Sequence, residues 1–275
     1  MAKQEPKSTD LAKSDPAANM MILDQTQVPD HIHQGEARGN EGVGQDDIII
    51  PRLELVQGLS PAVKEGDPGY IDGAKPGMLM NSVTKQLYGK EVMVVPVVYM
   101  KQWLVWRKRK FSDEKGREQT TEGGFFGSFN AEHEANARMA EEIKNSGIDS
   151  LSVEVIDTPQ HLCLLVNFNN GTVEEVMVSM PRTKAKVSRQ WNSMIRLAGS
   201  DRFSRVYRIT SALEKRNGND YYNFVVAQSG FPAPVLYKQA EKLYEQMQSG
   251  RAVTMDVTGF VDAEAPAAGA DDSEM

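Results

Sequence analysis

The chain has 275 residues, 40% of them apolar, which is enough for one large domain or two small ones with a real core and no metal or disulfide staples. Its one cysteine, Cys163, excludes a disulfide framework, reads as a small buried hydrophobe within HLCLLVNF, and suits a reducing cytoplasm. The net charge of −7 alone argues against a nucleic-acid partner, because a uniformly acidic surface repels phosphates.

Residues 1–47 are rich in Gln, Asp, Gly, Pro, Asn and Ala, show no sustained period, and are expected to form a disordered arm whose only apolar knot is MMIL. IIIPRLELVQ (48–57) opens the ordered part, and LSPAVKEGDPGYIDGAKPG (59–77) is turn chemistry. VMVVPVVY and WLVWRKRKF then predict strands, with Pro96 forcing an edge position or a bulge because it lacks an N–H. TTEGGFFGSF (120–129) reads as a glycine-flanked aromatic loop, followed by a helix over 130–146 with Asn130 as N-cap and Gly147 as its stop. LSVEVID, HLCLLVNF and VEEVMVSM predict three strands, the last two joined by a hairpin at Asn169-Asn170-Gly171. Helical spacing of Val187, Trp191, Met194, Ile195 and Ala198 marks a helix over 186–199. FSRVYRITSAL and YYNFVVAQ form a second hairpin across Lys215 to Asp220, before a helix at about 234–249 and a final strand, AVTMDVTGF. From Asp262 the tail DAEAPAAGADDSEM has five acidic side chains and no cation, so it stays solvated. The whole predicts a β-rich α+β domain over 48–261, a barrel or sandwich with helical insertions, between two disordered termini.

Enzymatic constellations are missing from the sequence. His31 and His33 form an HxH pair without a third ligand at workable spacing, His133 falls on an exposed helix and His161 at a strand start. GEARGNEGVG neither follows a strand nor ends in GK[ST], and no GxSxG elbow occurs. Asp46-Asp47 and Glu141-Glu142 suit solvent better than a metal nuclease site. A non-enzyme is expected, with no catalytic residue, metal or cofactor. No apolar stretch approaches the ~20 residues that span a bilayer, and MAKQEPKSTD is not followed by the apolar segment of a secretory signal, so no membrane partner is expected.

The charge is unevenly spread. From Lys101 to Arg117 seven cations stand against Asp113 and Glu114, and from Arg182 to Arg216 ten stand against Asp201 and Glu214. These segments carry +13, so the rest of the chain carries −20. As a strand, 103–111 places Trp103, Val105, Arg107, Arg109 and Phe111 on one face and Leu104, Trp106, Lys108 and Lys110 on the other. Trp103 is the ring expected to face outward, because Arg107, Arg109 and Phe111 share its side. FSRVYRI puts Phe203, Arg205 and Tyr207 on one face and Arg208 opposite. Arg182, Lys184, Lys186 and Arg189 gather at a helix start, where their charge opposes the helix dipole and so points to an incoming anion. Cations that track phosphates beside rings that stack on bases make a nucleic-acid platform, the alternative being a solvated face. Phe125, Phe126 and Phe129 either plug the barrel end or form a stacking loop.

IPRLELVQGLSPAVKEG, GYIDG, LMNSVT and LYGKEVMVVPVV within 50–98, K-x-S-R-Q-W-N-S-M-I (186–195), and FSRVYRIT followed by YYNF (203–224) resemble bacteriophage single-stranded DNA-binding proteins. That resemblance implies an OB-like barrel and a protein that coats single-stranded DNA during replication or recombination, in the host cytoplasm. It also implies an acidic tail that competes with DNA and recruits replication or recombination proteins. On the basic and aromatic segments themselves, not on the resemblance, the expected DNA-contact residues are Trp103, Arg107, Lys108, Arg109, Lys110, Phe111, Lys184, Lys186, Arg189, Arg205, Tyr207 and Arg208. The alternative is a phage structural or assembly protein, a homo-oligomer joined through basic and acidic segments.

Overall fold

The computed structural model describes residues 39, 42, 43, 47–167, 172–216, 219–250 and 254–255. In chain order the strands of the first half are β1 (Ile49–Ile50), β2 (Leu53–Leu55), β3 (Leu79–Asn81), β4 (Leu87–Gly89), β5 (Glu91–Arg107), β6 (Lys110–Ser112), β7 (Glu118–Thr120) and β8 (Gly124–Phe129). Helix α1 (Glu132–Ser146), strands β9 (Val153–Asn167) and β10 (Thr172–Ser179), and helix α2 (Ala185–Leu197) follow. The hairpin β11 (Val206–Arg216) and β12 (Asn219–Gly230), helix α3 (Pro234–Gln248) and strand β13 (Thr254–Met255) complete the order.

The frame is a long antiparallel ribbon of β5 and β9, paired from Met93↔Val166 to Arg107↔Val153. Both strands are dense in β-branched and bulky apolar residues, which pack well on a pleated surface. The main sheet runs β10-β9-β5-β11-β12, and β8 joins β5 at its far end. β11 takes the near end of β5, Glu91 to Val94, while β8 takes Trp103 to Arg107. The basic segment that begins at Arg107 therefore lies at the tip of the ribbon, away from the hairpin.

Period-two alternation buries both faces of the near end. Val94, Leu165, Val178 and Ile209 meet Trp191 and Ile195 of α2 on one side. Val95, Leu162 and Met177 meet Ala240 and Leu243 of α3 on the other. At the far end Val105 and Val153 pack beneath Ala135 of α1, and Leu104 and Trp106 pack against Phe125 and Ile156.

The sheet is open. Among the described residues no ladder joins β10 to β12, so the expected OB-like barrel is replaced by an open sheet within a β-rich α+β fold. Residues 51–57 span the two edges instead. The Met177 amide donates to the Pro51 carbonyl at 2.8 Å, and at the other end the Gln57 side chain serves both backbone groups of Tyr222. The Tyr222 amide donates to Gln57 Oε1 at 2.8 Å and Gln57 Nε2 donates to the Tyr222 carbonyl at 3.0 Å.

Pro96 sits at a bulge between Pro96 and Val98 of a central strand. LSVEVID and HLCLLVNF are one strand, not two: β9 runs straight through Pro159. His161 consequently lies inside a strand and is fully buried. FFGSF is strand β8, not a loop, with Gly127 at φ 145 beside its register shift. A Cβ at Gly127 would stand 2.8 Å from the Phe129 ring, so only glycine lets that ring lie across the strand. Helix α1 begins after Ala131 rather than Asn130, without a side-chain cap, and stops at Gly147 in the left-handed conformation as expected. The Asn169-Asn170-Gly171 turn, nearly all of the 1–47 arm, His31 and His33, and the 262–275 tail lie outside the described residues.

Candidate functional site

The first basic segment is largely satisfied internally. Lys101 pairs with Asp157 at 2.8 Å, Lys110 with Glu118 at 3.1 Å and Arg117 with Asp113 at 2.8 Å. Lys108 Nζ donates to the Leu151 carbonyl at 3.1 Å, and Arg109 lies exposed across Gly123. Trp103 is half-buried near α1, Trp106 and Phe111 are buried, and Arg107 is half-buried. The single strand expected over 103–111 is broken at Lys108 and Arg109, so Phe111 no longer shares a face with Trp103. Both faces of β5 are covered here, by α1 on one side and by Phe125 on the other, which corrects the platform reading. Phe126 and Phe129 likewise pack around the α1 core instead of forming a mobile loop.

The second segment is arranged differently. At 100° per residue, Lys186, Arg189, Ser193 and Arg196 fall on one side of α2, opposite the buried Ser188, Trp191 and Ile195. All four are exposed, and among the described residues Lys186, Arg189 and Arg196 form no ion pair. Ten helical steps from Lys186 to Arg196 make this stripe about 15 Å long. At its start the chain passes through Arg182, whose φ of 53 is uncommon for a residue other than glycine. Its guanidinium binds Glu154, the residue paired with Trp106, and so ties the start of α2 to the ribbon that carries the first basic segment. Lys184 Nζ lies 5.7 Å from the Phe224 ring centre.

Between α2 and the β11–β12 hairpin is a cavity of about 510 Å³. Arg182, Lys186 and Arg189 stand on its helix wall, Phe224 and Val187 contribute apolar surface, and Glu214, Tyr221 and Asn223 stand on its strand wall. Glu214 accepts from the Tyr221 hydroxyl at 2.7 Å and from Asn223 Nδ2 at 3.2 and 3.3 Å.

Of the residues predicted on β11, Tyr207 is fully buried against Trp191, with ring centres 5.7 Å apart, so it cannot offer a face to a base. Arg208 is exposed, with Glu91 at 3.9 Å. Arg205 lies 5.2 Å from the ring of Phe231, which is 72% exposed. Phe231 thus supplies the exposed ring beside a cation that was expected of Tyr207. Its sequence signal was the neighbouring Pro232 and Pro234, which end β12 and hold Phe231 off the sheet.

Beneath α2 is a buried polar network. Arg202 Nη2 reaches His161 Nδ1 at 2.7 Å and donates to Asn192 Oδ1 at 3.0 Å, while His161 Nε2 meets Ser188 Oγ at 2.8 Å. Arginine only donates, so Nδ1 accepts and the ring proton sits on Nε2, pointing at Ser188. That polarity is the reverse of a nucleophile–base pair, in which the imidazole nitrogen takes the hydroxyl proton. Burial, reinforced by Arg202, holds the His161 imidazole well below its usual pKa, hence neutral. The ring stacks on Trp191 at 4.4 Å, and the network anchors the helix that carries the basic stripe. Among the described residues no three His, Cys, Asp or Glu side chains converge on a metal position, and no helix is long and apolar enough to cross a membrane.

No curated protein and no solved structure matches the chain. A family model described as Pam3 phage gp34-like protein matches residues 19–253, which takes in the α2 stripe, the cavity and the buried network, and the chain belongs to that phage family.

Proposed function

We propose that the protein binds single-stranded DNA with little sequence preference, in phage replication or recombination, and that the α2 stripe is its phosphate track. The observation that carries this reading is the row Lys186, Arg189 and Arg196, three exposed cations that form no ion pair among the described residues, beside a cavity with aromatic and apolar lining. Most other cations of the chain's basic segments are paired, so these are the charges open to a polyanion. Arg205 with Phe231 adds a cation and a stacking ring on the same hairpin, and Lys184 and Arg208 extend the positive surface. Base stacking on such rings is worth about 1–3 kcal/mol per base and tolerates any sequence. The five carboxylates within 262–275 would compete for the same cations and, once displaced, recruit partner proteins.

Titration of labelled single strand, duplex and RNA at two salt concentrations tests the reading. Neutralising about five phosphates makes log affinity fall with log salt at a slope near −3.5 for a single strand. Deleting 262–275 should tighten binding, most at low salt where screening is weak. Absence of salt-dependent binding, together with a fixed large oligomer in light scattering that ignores DNA, would overturn the proposal in favour of an assembly role.

A further inference from the structure

The cavity beside α2 has a charge pattern that a phosphate track alone does not need. Its helix wall carries Arg182, Lys186 and Arg189, while its strand wall carries a carboxylate, Glu214. Among the described residues Glu214 forms no ion pair, although three cations line the same space. It is held instead by two neutral donors, the Tyr221 hydroxyl at 2.7 Å and Asn223 Nδ2 at 3.2 and 3.3 Å. Asn223 is itself buried, and its own Oδ1 accepts from the Phe224 amide at 2.9 Å, which fixes the side chain that positions the carboxylate. A ligand that enters must place negative charge toward the helix and N–H donors toward the strand, with a flat apolar body between. A nucleotide has that sequence of groups, and a cavity of about 510 Å³ is within the size range of small-molecule sites.

The carboxylate also discriminates among bases. It accepts and cannot donate. Guanine presents two adjacent donors, N1–H and the N2 amino group, that match both oxygens of a carboxylate. Adenine and cytosine set one amino group beside a ring nitrogen whose lone pair repels it, and thymine places its single N–H between two carbonyls. We infer that this cavity takes one guanine base of a bound single strand, with Glu214 on its N1 and N2 edge and Lys186 and Arg189 on the adjoining phosphate. The inference rests on the single-strand reading and adds to it a modest base preference on an otherwise tolerant track.

The test is fluorescence anisotropy with the full chain, using a short oligothymidylate and the same oligomer with spaced guanines, with inosines in place of the guanines as a third probe. The guanine oligomer should bind roughly tenfold tighter, the lower part of the range for a bidentate contact. Inosine, which lacks the N2 amino group, should fall between the two. Glu214→Gln should bring guanine and thymine to within about twofold of each other. Tyr221→Phe, which removes one of the donors holding the carboxylate, should reduce the preference partway. Equal binding of all three oligomers by the wild type would overturn the guanine site and leave single-strand binding standing. A guanine preference that survives Glu214→Gln would overturn the assignment to this cavity. Failure to bind any oligomer at low salt would overturn the single-strand reading itself.

Discussion

Removing the basic stripe should change how affinity responds to salt. In a Lys186→Ala, Arg189→Ala, Arg196→Ala variant, three exposed cations that form no ion pair among the described residues are lost and the buried face of α2 is untouched. Each phosphate no longer neutralised takes about 0.7 from the slope of log affinity against log salt, so the slope should flatten by roughly 2. Between about 50 and 200 mM salt the wild type should then lose about 20-fold more affinity than the variant. Exposed substitutions of this kind normally stay within about 0.5 kcal/mol of wild-type stability, so unfolding curves should coincide while anisotropy titrations diverge. An unchanged slope, with the variant folded, would show that phosphates do not lie along α2 and would refute the track.

Phe231→Ala should weaken single-strand binding by about 1–3 kcal/mol with little loss of stability, because the ring is 72% exposed; equal affinity would remove it from the surface. His161 makes the fold sensitive to acid in a direction set by its depressed pKa. As pH falls below about 6.5 the unfolded chain takes a proton that the buried ring refuses, so the stability present at higher pH is lost at up to about 1.4 kcal/mol per pH unit. Urea melts of wild type and His161→Gln between neutral and mildly acidic pH should show this slope in the wild type alone, and parallel pH profiles would refute it. Trp191→Ala should cost about 3–5 kcal/mol, since the side chain is fully buried between His161 and Tyr207; a loss below 1 kcal/mol in denaturant titration would contradict that packing role.

Much of this architecture was legible in the residues. Helical spacing marked α2 and its buried Trp191 and Ile195, and Gly147 marked the end of α1. What misled was local. Pro159 reads as a strand break, yet its carbonyl accepts from the Met180 amide at 2.8 Å, on the side where β10 has just ended. In an antiparallel strand the N–H and C=O of one residue point the same way, so the missing N–H costs the β5 ladder nothing. Tyr207 misled for another reason: period two separates faces but does not say which one is covered, and here α2 covers the Tyr207 face while Arg208 opposite is exposed. The charge run at 107–110 concealed its pairings because the partners Glu118 and Leu151 sit on a hairpin and a short 3-10 helix that sequence spacing does not reveal. The reversed Ser188–His161 polarity depended on Arg202, 41 positions away.

The link between Gln57 and Tyr222 joins groups 165 positions apart. Closing so wide a loop costs entropy before any contact rewards it, and such distant pairings form late. Gln57 therefore waits for a residue that leaves the ribosome 165 positions later. Tyr222 is flanked by Tyr221 and Asn223, which hold Glu214, so the edge that completes the sheet and the wall that completes the cavity arrive in one stretch of synthesis. A nascent chain has no finished cavity until its fold is closed.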